Sequence, residues 1–252
     1  MDNLSVFFLA QGEQSGDEVM ARLTTFIRAA RQSLDFAVYD MRFSDPLKAS
    51  LSSALRERAE AGVKIRFCYD GDKPPPPNAA AGQDPAPSGT GAFIQSLGYP
   101  WHRIAGMKLM HSKFILRDGQ SVWTGSTNLT DDGFVSMENN VVEMDSLPLA
   151  NYYAEDFEQL WEKENFENTG AIHTQPEPVT FAGQSALRCA SCFLRAAGWK
   201  SIPRSPGACA RRSGHRRALP RPNQSDDTSN DHHGWHAHGV FTDAAPHAEK
   251  TR

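Results

Sequence analysis

The sequence predicts an α/β domain, a mixed or mainly parallel sheet flanked by helices, followed by a C-terminal tail with no core of its own. Three observations lead there. Strand-forming runs alternate with helical periodicity through residues 5–69. Apolar residues make up 39% of the 252-residue chain and aromatics 10%, enough for a core. The two parts of the chain also differ in charge. Residues 171–252 hold 11 Lys/Arg against 6 Asp/Glu, which leaves 15 against 24, or −9, for residues 1–170.

Ser5 to Ala10 is a short apolar run and predicts the first strand. From Gly16 to Arg31, Val19, Met20, Leu23, Phe26, Ile27 and Ala30 recur at helical spacing. Ser33 to Met41 is rich in strand formers. Ser44-Asp45-Pro46 opens the next helix, with Ser44 or Asp45 as cap and Pro46 in the first turn; it runs to Ala61, and Gly62 stops it. Val63 to Tyr69 predicts a third strand. This β-α-β-α-β order favours parallel pairing. Pro74 to Gly91 is dense in Pro, Gly and Ala and reads as a long loop. A short helix from Ala92 to Leu97 follows. Then come strands at Ser112–Leu116, Val122–Gly125 and Asn140–Met144, the first two joined by a tight turn at Asp118-Gly119. A helix from Leu147 to Glu162 closes the domain.

Composition excludes several classes. The formal net charge is −4, which gives no sign of a general nucleic-acid binder. No run approaches the ~18–20 apolar residues of a membrane-spanning helix. The opening residues carry no basic segment of the secretory kind. Four cysteines do not make a disulfide scaffold, so a reducing, cytoplasmic setting is expected. Cys68 reads as a buried core thiol.

The chemistry sits on the predicted hairpin. His111 and Lys113 are two apart on a strand and share a face, while Ser112 and Phe114 point the other way. An imidazole and an ammonium projecting together suit a phosphate: one attacks, the other neutralises oxygen charge. Gly125-Ser126-Thr127-Asn128 follows on the facing strand. Its small residues would let a ligand approach the backbone, and Ser126 and Asn128 offer neutral hydrogen-bonding groups. Tyr39 and Asp40 end the second strand, where sheets of this class place ligands, although core packing is the expected role of Tyr39.

The pattern H-x-K-x4-D-x6-G-S-x-N, met by His111, Lys113, Asp118, Gly125, Ser126 and Asn128, resembles the signature of the phospholipase D superfamily at every position. Residues 1–165 are similar to one half of that fold, a phospholipase D-like half-domain. The resemblance implies a phosphodiesterase acting on a phospholipid or a nucleic acid, with His111 as a nucleophile that becomes phosphohistidine. It implies that Lys113 and Asn128 bind phosphate oxygens, with Ser126 beside them, and that Asp118 supports the structure of the site. Glu138 falls where such proteins place a carboxylate that orients the histidine. No metal or other cofactor is implied.

Family chemistry needs two motifs facing each other, one histidine attacking and the other protonating the leaving group. This chain carries one motif. The resemblance therefore implies a homodimer if the chain is active. The competing readings are an inactive remnant lacking its second half and a phosphate-binding module without turnover. The −9 balance of the first 170 residues weighs slightly against a nuclease, and the lack of a signal or membrane segment weighs slightly against a secreted or membrane-bound lipid enzyme.

The domain is expected to span residues 1–168 and a disordered, Arg/His-rich tail residues 169–252. Seven of the nine histidines lie beyond residue 170, and large apolar residues there are sparse and without period. A shifted codon reading of Gly198 to Arg217 can produce a second-half-like helix, so the tail reads as a frameshifted remnant. Cys189, Cys192, Cys209 and His215 make a weak zinc set with one tight pair only.

Overall fold

The computed structural model describes residues 3–71, 88–106 and 109–169, together with strands at Glu177–Val179, Leu187–Cys192 and Gly239–Asp243. The main sheet has seven strands: β1 (Asn3–Leu9), β2 (Ser33–Val38), β4 (Lys64–Tyr69), β5 (Trp101–Arg103), β6 (Lys113–Arg117), β7 (Ser121–Gly125) and β9 (Asn139–Asp145). A two-stranded ribbon pairs β3 (Met41–Arg42) with β8 (Leu129–Thr130). The helices are α1 (Gly16–Arg28), α2 (Asp45–Glu60), α3 (Thr90–Leu97), α4 (Asp131–Val135) and α5 (Leu147–Lys163). A short 3-10 turn covers Phe166–Asn168.

The sheet is mixed and mostly antiparallel, in the order β1-β9-β7-β6-β2-β4-β5. This corrects the mainly parallel alternative. The strands β1, β2 and β4 do run in one direction, as the β-α-β-α-β pattern requires. Only β2, β4 and β5 pair in parallel, however, because the later strands β6, β7 and β9 insert between β1 and β2 through antiparallel ladders. The helical crossovers fixed direction but not adjacency.

Two apolar layers sandwich the sheet. On one face Met20, Leu23 and Ile27 of α1, Leu51 and Leu55 of α2, Ile94 of α3 and Phe134 of α4 cover Phe36, Phe67, Ile115 and Trp123. On the other, Tyr153, Phe157 and Leu160 of α5 cover Ala37, Cys68, Phe114 and Val122. The alternation of Phe114 and Ile115 between these layers is the period of two that the sequence displayed. Cys68 is a buried free thiol, as expected, and burial pushes its pKa up.

Local chemistry explains the helix starts. Ser15 and Glu18 close a capping box on α1. Ser44 is the N-cap of α2, but its side chain makes no cap bond; its hydroxyl and its backbone N–H both donate to Asp131 at the start of α4, at 2.7 and 2.8 Å. The second helix is thus anchored by a carboxylate distant in sequence. The sequence reading passed over β5, α4 and the β3–β8 ribbon, all five residues or shorter and without room for a period.

Within the stretch expected to be disordered, Glu177–Val179 (β10), Leu187–Cys192 (β11) and Gly239–Asp243 (β12) form a three-stranded antiparallel sheet. Of the zinc set, Cys189 and Cys192 fall on β11, whereas Cys209, His215, the Gly198 to Arg217 stretch of the frameshift reading and most of the Pro-rich loop lie outside the described residues.

Candidate active site

The site lies where β2 and β4 end. Because β6 runs antiparallel to β2, Lys113 at its start pairs with Val38 at the end of β2. The chain just before β6 stays in that ladder: the Tyr39 N–H donates to the Ser112 carbonyl at 2.8 Å. His111, Lys113 and Tyr39 are therefore held together by strand pairing, at the carboxyl ends of parallel strands, where such sheets bind ligands.

Ser112 is fully buried and Phe114 packs on Tyr153, while His111 and Lys113 are half-buried, so the alternation expected of the motif holds. The Lys113 ammonium donates to the His111 carbonyl at 3.3 Å and lies 5.0 Å from the centre of the Tyr39 ring. The Tyr39 and His111 rings meet at 4.6 Å in an edge-to-face arrangement of 64°. Tyr39 is thus a site residue, which corrects the core-packing expectation. Burial brings the Lys113 pKa down to about 7, opposed by the negative charge of Asp40. Burial also raises the Tyr39 phenol, helped by Asp70 and Asp40.

Asp40 is the group the motif does not contain. Its buried carboxylate receives Nε and a terminal nitrogen of Arg42, each at 3.2 Å, and the Thr90 hydroxyl at 2.8 Å. Its carbonyl accepts the Leu129 N–H at 3.3 Å, which ties it to the residue after Asn128. Asp70, fully buried at the end of β4, joins β2 through its N–H to the Val38 carbonyl. Both aspartates follow strand ends, the one sequence signal that pointed to them.

The Gly-Ser-x-Asn segment is built by β9. Gly125 has φ +143°, and a Cβ there would lie 2.2 Å from the Asn140 carbonyl oxygen. The glycine is required by the neighbouring backbone, which replaces the expectation of ligand approach with a packing reason. The Ser126 hydroxyl donates to Asn139 Oδ1 at 2.9 Å and accepts the Asn140 N–H at 3.0 Å. Its one hydrogen is thereby spent, and the remaining lone pair could accept from a ligand donor but not bind a phosphate oxygen. The Asn128 side-chain oxygen is buried and accepts no hydrogen bond among the described residues. Such an acceptor costs ~1–3 kcal/mol unless a donor pairs with it, whereas a phosphate oxygen would pair with the amide N–H of the same side chain. Glu138 is exposed just before β9, beside the Asn139 that holds Ser126.

Asp118 stands apart. It follows the last residue of β6, roughly 17 Å along the strand from Lys113. Its carboxylate accepts the N–H groups of Arg31, Gln32 and Ser33, at 2.7–3.0 Å, and so closes the turn between α1 and β2. It adopts φ +55° and Gly119 φ +64°, with the Gln120 N–H on the Arg117 carbonyl, the pattern of a type I′ turn.

An imidazole and a half-buried ammonium thus share one strand end, and Asn128 precedes the Leu129 whose N–H bonds the Asp40 carbonyl beside them; no metal-ligating cluster occurs among the described residues. A family model described as the PLD-like domain of cardiolipin synthase matches residues 23–161, just over half of the chain. The chain belongs to the phospholipase D-like family. Its phospholipase D-like region is 31% identical over 147 residues to a mitochondrial cardiolipin hydrolase of Xenopus laevis, covering 58% of this chain and 63% of that protein. A human protein of the same name is 26% identical over 154 residues, covering 61% and 55%. The chain therefore spans less than two thirds of either relative. Among solved structures, NucT from Helicobacter pylori superposes with a TM-score of 0.49 at 19% identity, over 64% of this chain and 97% of that one. The Salmonella typhimurium phospholipase D family member Nuc gives 0.48 at 20%, over 64% and 95%. The two curated relatives are named as hydrolases. Among the described residues no helix is long and apolar enough to cross a membrane.

Proposed function

We propose that this chain is a phosphodiesterase of the phospholipase D type. The observation that supports it best is the placement of His111 and Lys113 together at the carboxyl end of β2, with the ammonium on the His111 carbonyl and over the Tyr39 ring that the imidazole meets. In this reading an imidazole nitrogen of His111 attacks phosphorus, and the bond from phosphorus to the leaving oxygen breaks. Lys113 and the Asn128 amide hold the non-bridging oxygens. A second acid protonates the leaving alcohol, and water then cleaves the phosphorus–nitrogen bond and returns the imidazole. The second acid is His111 of another copy, because one chain carries one motif. Asp118 maintains the strand and turn on which the motif is built.

A phospholipid is the preferred substrate class. The matched family description and the relatives' names refer to cardiolipin; the −9 balance of the first 170 residues does not separate the two, since both substrates are polyanionic. The cytoplasmic setting rests on cysteine usage alone, whereas those relatives are named as mitochondrial.

The test is the mass in solution measured alongside hydrolysis of bis(p-nitrophenyl) phosphate, cardiolipin vesicles and single-stranded DNA, for the wild type and His111→Ala. A dimer that turns over, with all activity lost in the variant, is expected. Turnover undiminished in His111→Ala overturns the mechanism, and cleavage of DNA without cardiolipin reverses the substrate class.

A further inference from the structure

The motif names the attacking and charge-neutralising groups but not what holds their relative orientation. His111 and Lys113 are both on the extended chain leading into β6, and side chains there retain rotamer freedom that binding would have to remove. One side chain from another strand touches both. Tyr39, just past β2, meets the His111 ring at 4.6 Å and carries the Lys113 ammonium at 5.0 Å over its own ring. Its backbone is clamped in the same ladder by the bond to the Ser112 carbonyl, so the ring cannot drift relative to the motif.

We infer that Tyr39 is a positioning residue, whose aromatic ring sets the imidazole of His111 and keeps the ammonium of Lys113 charged and aimed at the phosphate. This rests on the phosphodiesterase reading above. The ring is what the function uses, because an ammonium over an aromatic face is attracted by the ring quadrupole, and more strongly where water is excluded. The phenol hydroxyl has no part in either contact. The groups facing Lys113 are His111, whose carbonyl its ammonium bonds, the Tyr39 ring, and the carboxylate of Asp40 past the end of β2, while Asp70 after β4 acts on Tyr39.

The experiment compares Tyr39→Phe and Tyr39→Leu with the wild type in two readouts. The first is the alkaline limb of kcat/KM for bis(p-nitrophenyl) phosphate. The second is the Lys113 titration, followed by NMR on protein carrying 13C-labelled lysine and assigned with Lys113→Arg; this requires no turnover. Leucine keeps the site apolar but removes the ring, so both the limb and the titration are expected to move down by about half a pH unit or more. Phenylalanine keeps the ring and is expected to leave both in place, with far-UV circular dichroism unchanged throughout. Equal behaviour of the two variants in the titration overturns the inference, whether both shift or neither does. A titration that behaves as expected in a protein without His111-dependent turnover would leave the ring contact standing and remove the phosphodiesterase reading.

Discussion

Asp118 and Gln32 are 86 residues apart in sequence, and the carboxylate of the first accepts the backbone N–H of the second at 2.7 Å. Arg31 and Ser33 donate to the same group. The motif's aspartate therefore organises the turn that delivers β2, and with it Tyr39 and Asp40, to the opposite end of the sheet.

Replacing Asp118 by alanine would leave three N–H donors without this partner. Loss of hydrogen bonds to a charged group costs about 1–3 kcal/mol, with the half-exposed position favouring the lower end. Asp118→Ala should lower the urea midpoint accordingly, and turnover per folded molecule should fall far less than in His111→Ala. Equal losses of turnover in the two variants would show a direct role for the aspartate.

Lys113 should impose an alkaline limb on kcat/KM. Burial lowers its pKa to about 7, the protonated form binds phosphate, and rising pH through that value removes the charge. Asp40 opposes the fall, so Asp40→Asn, which keeps an acceptor for Thr90, should move the limb to lower pH. A limb that stays in place or moves up would mean that Asp40 does not support the lysine charge.

Asp156 of α5 is buried, and desolvation raises its pKa from 3.8 to about 7. Between those values the unfolded chain has released a proton that the folded chain keeps. Stability from this group therefore falls as pH climbs from about 4 to about 7 and is level above. Asp156→Asn should stabilise the protein at pH 8, by an amount on the order of 2–4 kcal/mol, and do little at pH 4. Urea unfolding at both pH values measures it, and a gain that is the same at both would refute the assignment.

Gly125→Ala places a methyl group 2.2 Å from the Asn140 carbonyl at φ +143°. Backbone cannot yield there without parting β7 from β9, so a loss above about 3 kcal/mol is expected, read as collapse of soluble yield and of the unfolding transition. Normal folding of the variant would show that the two strands are spaced more widely than described.

The sequence by itself determined the residue types of the site, the order and direction of the early strands, and the positions of the four longer helices. These are local properties: a period of two put His111 and Lys113 on one face, and α1 was legible because its apolar spacing runs through Val19, Met20, Leu23, Phe26 and Ile27. Only the tertiary structure decided that β6, β7 and β9 separate β1 from β2, because ladder partners lie far apart in the chain. The same holds at the site. Tyr39 looked like a core residue until strand pairing set it against His111, and Asp40 acquired its role from Arg42 and from Thr90, 50 residues on. The charge state of Lys113 is the clearest case, since desolvation depends on every group around it and no single stretch of chain contains them.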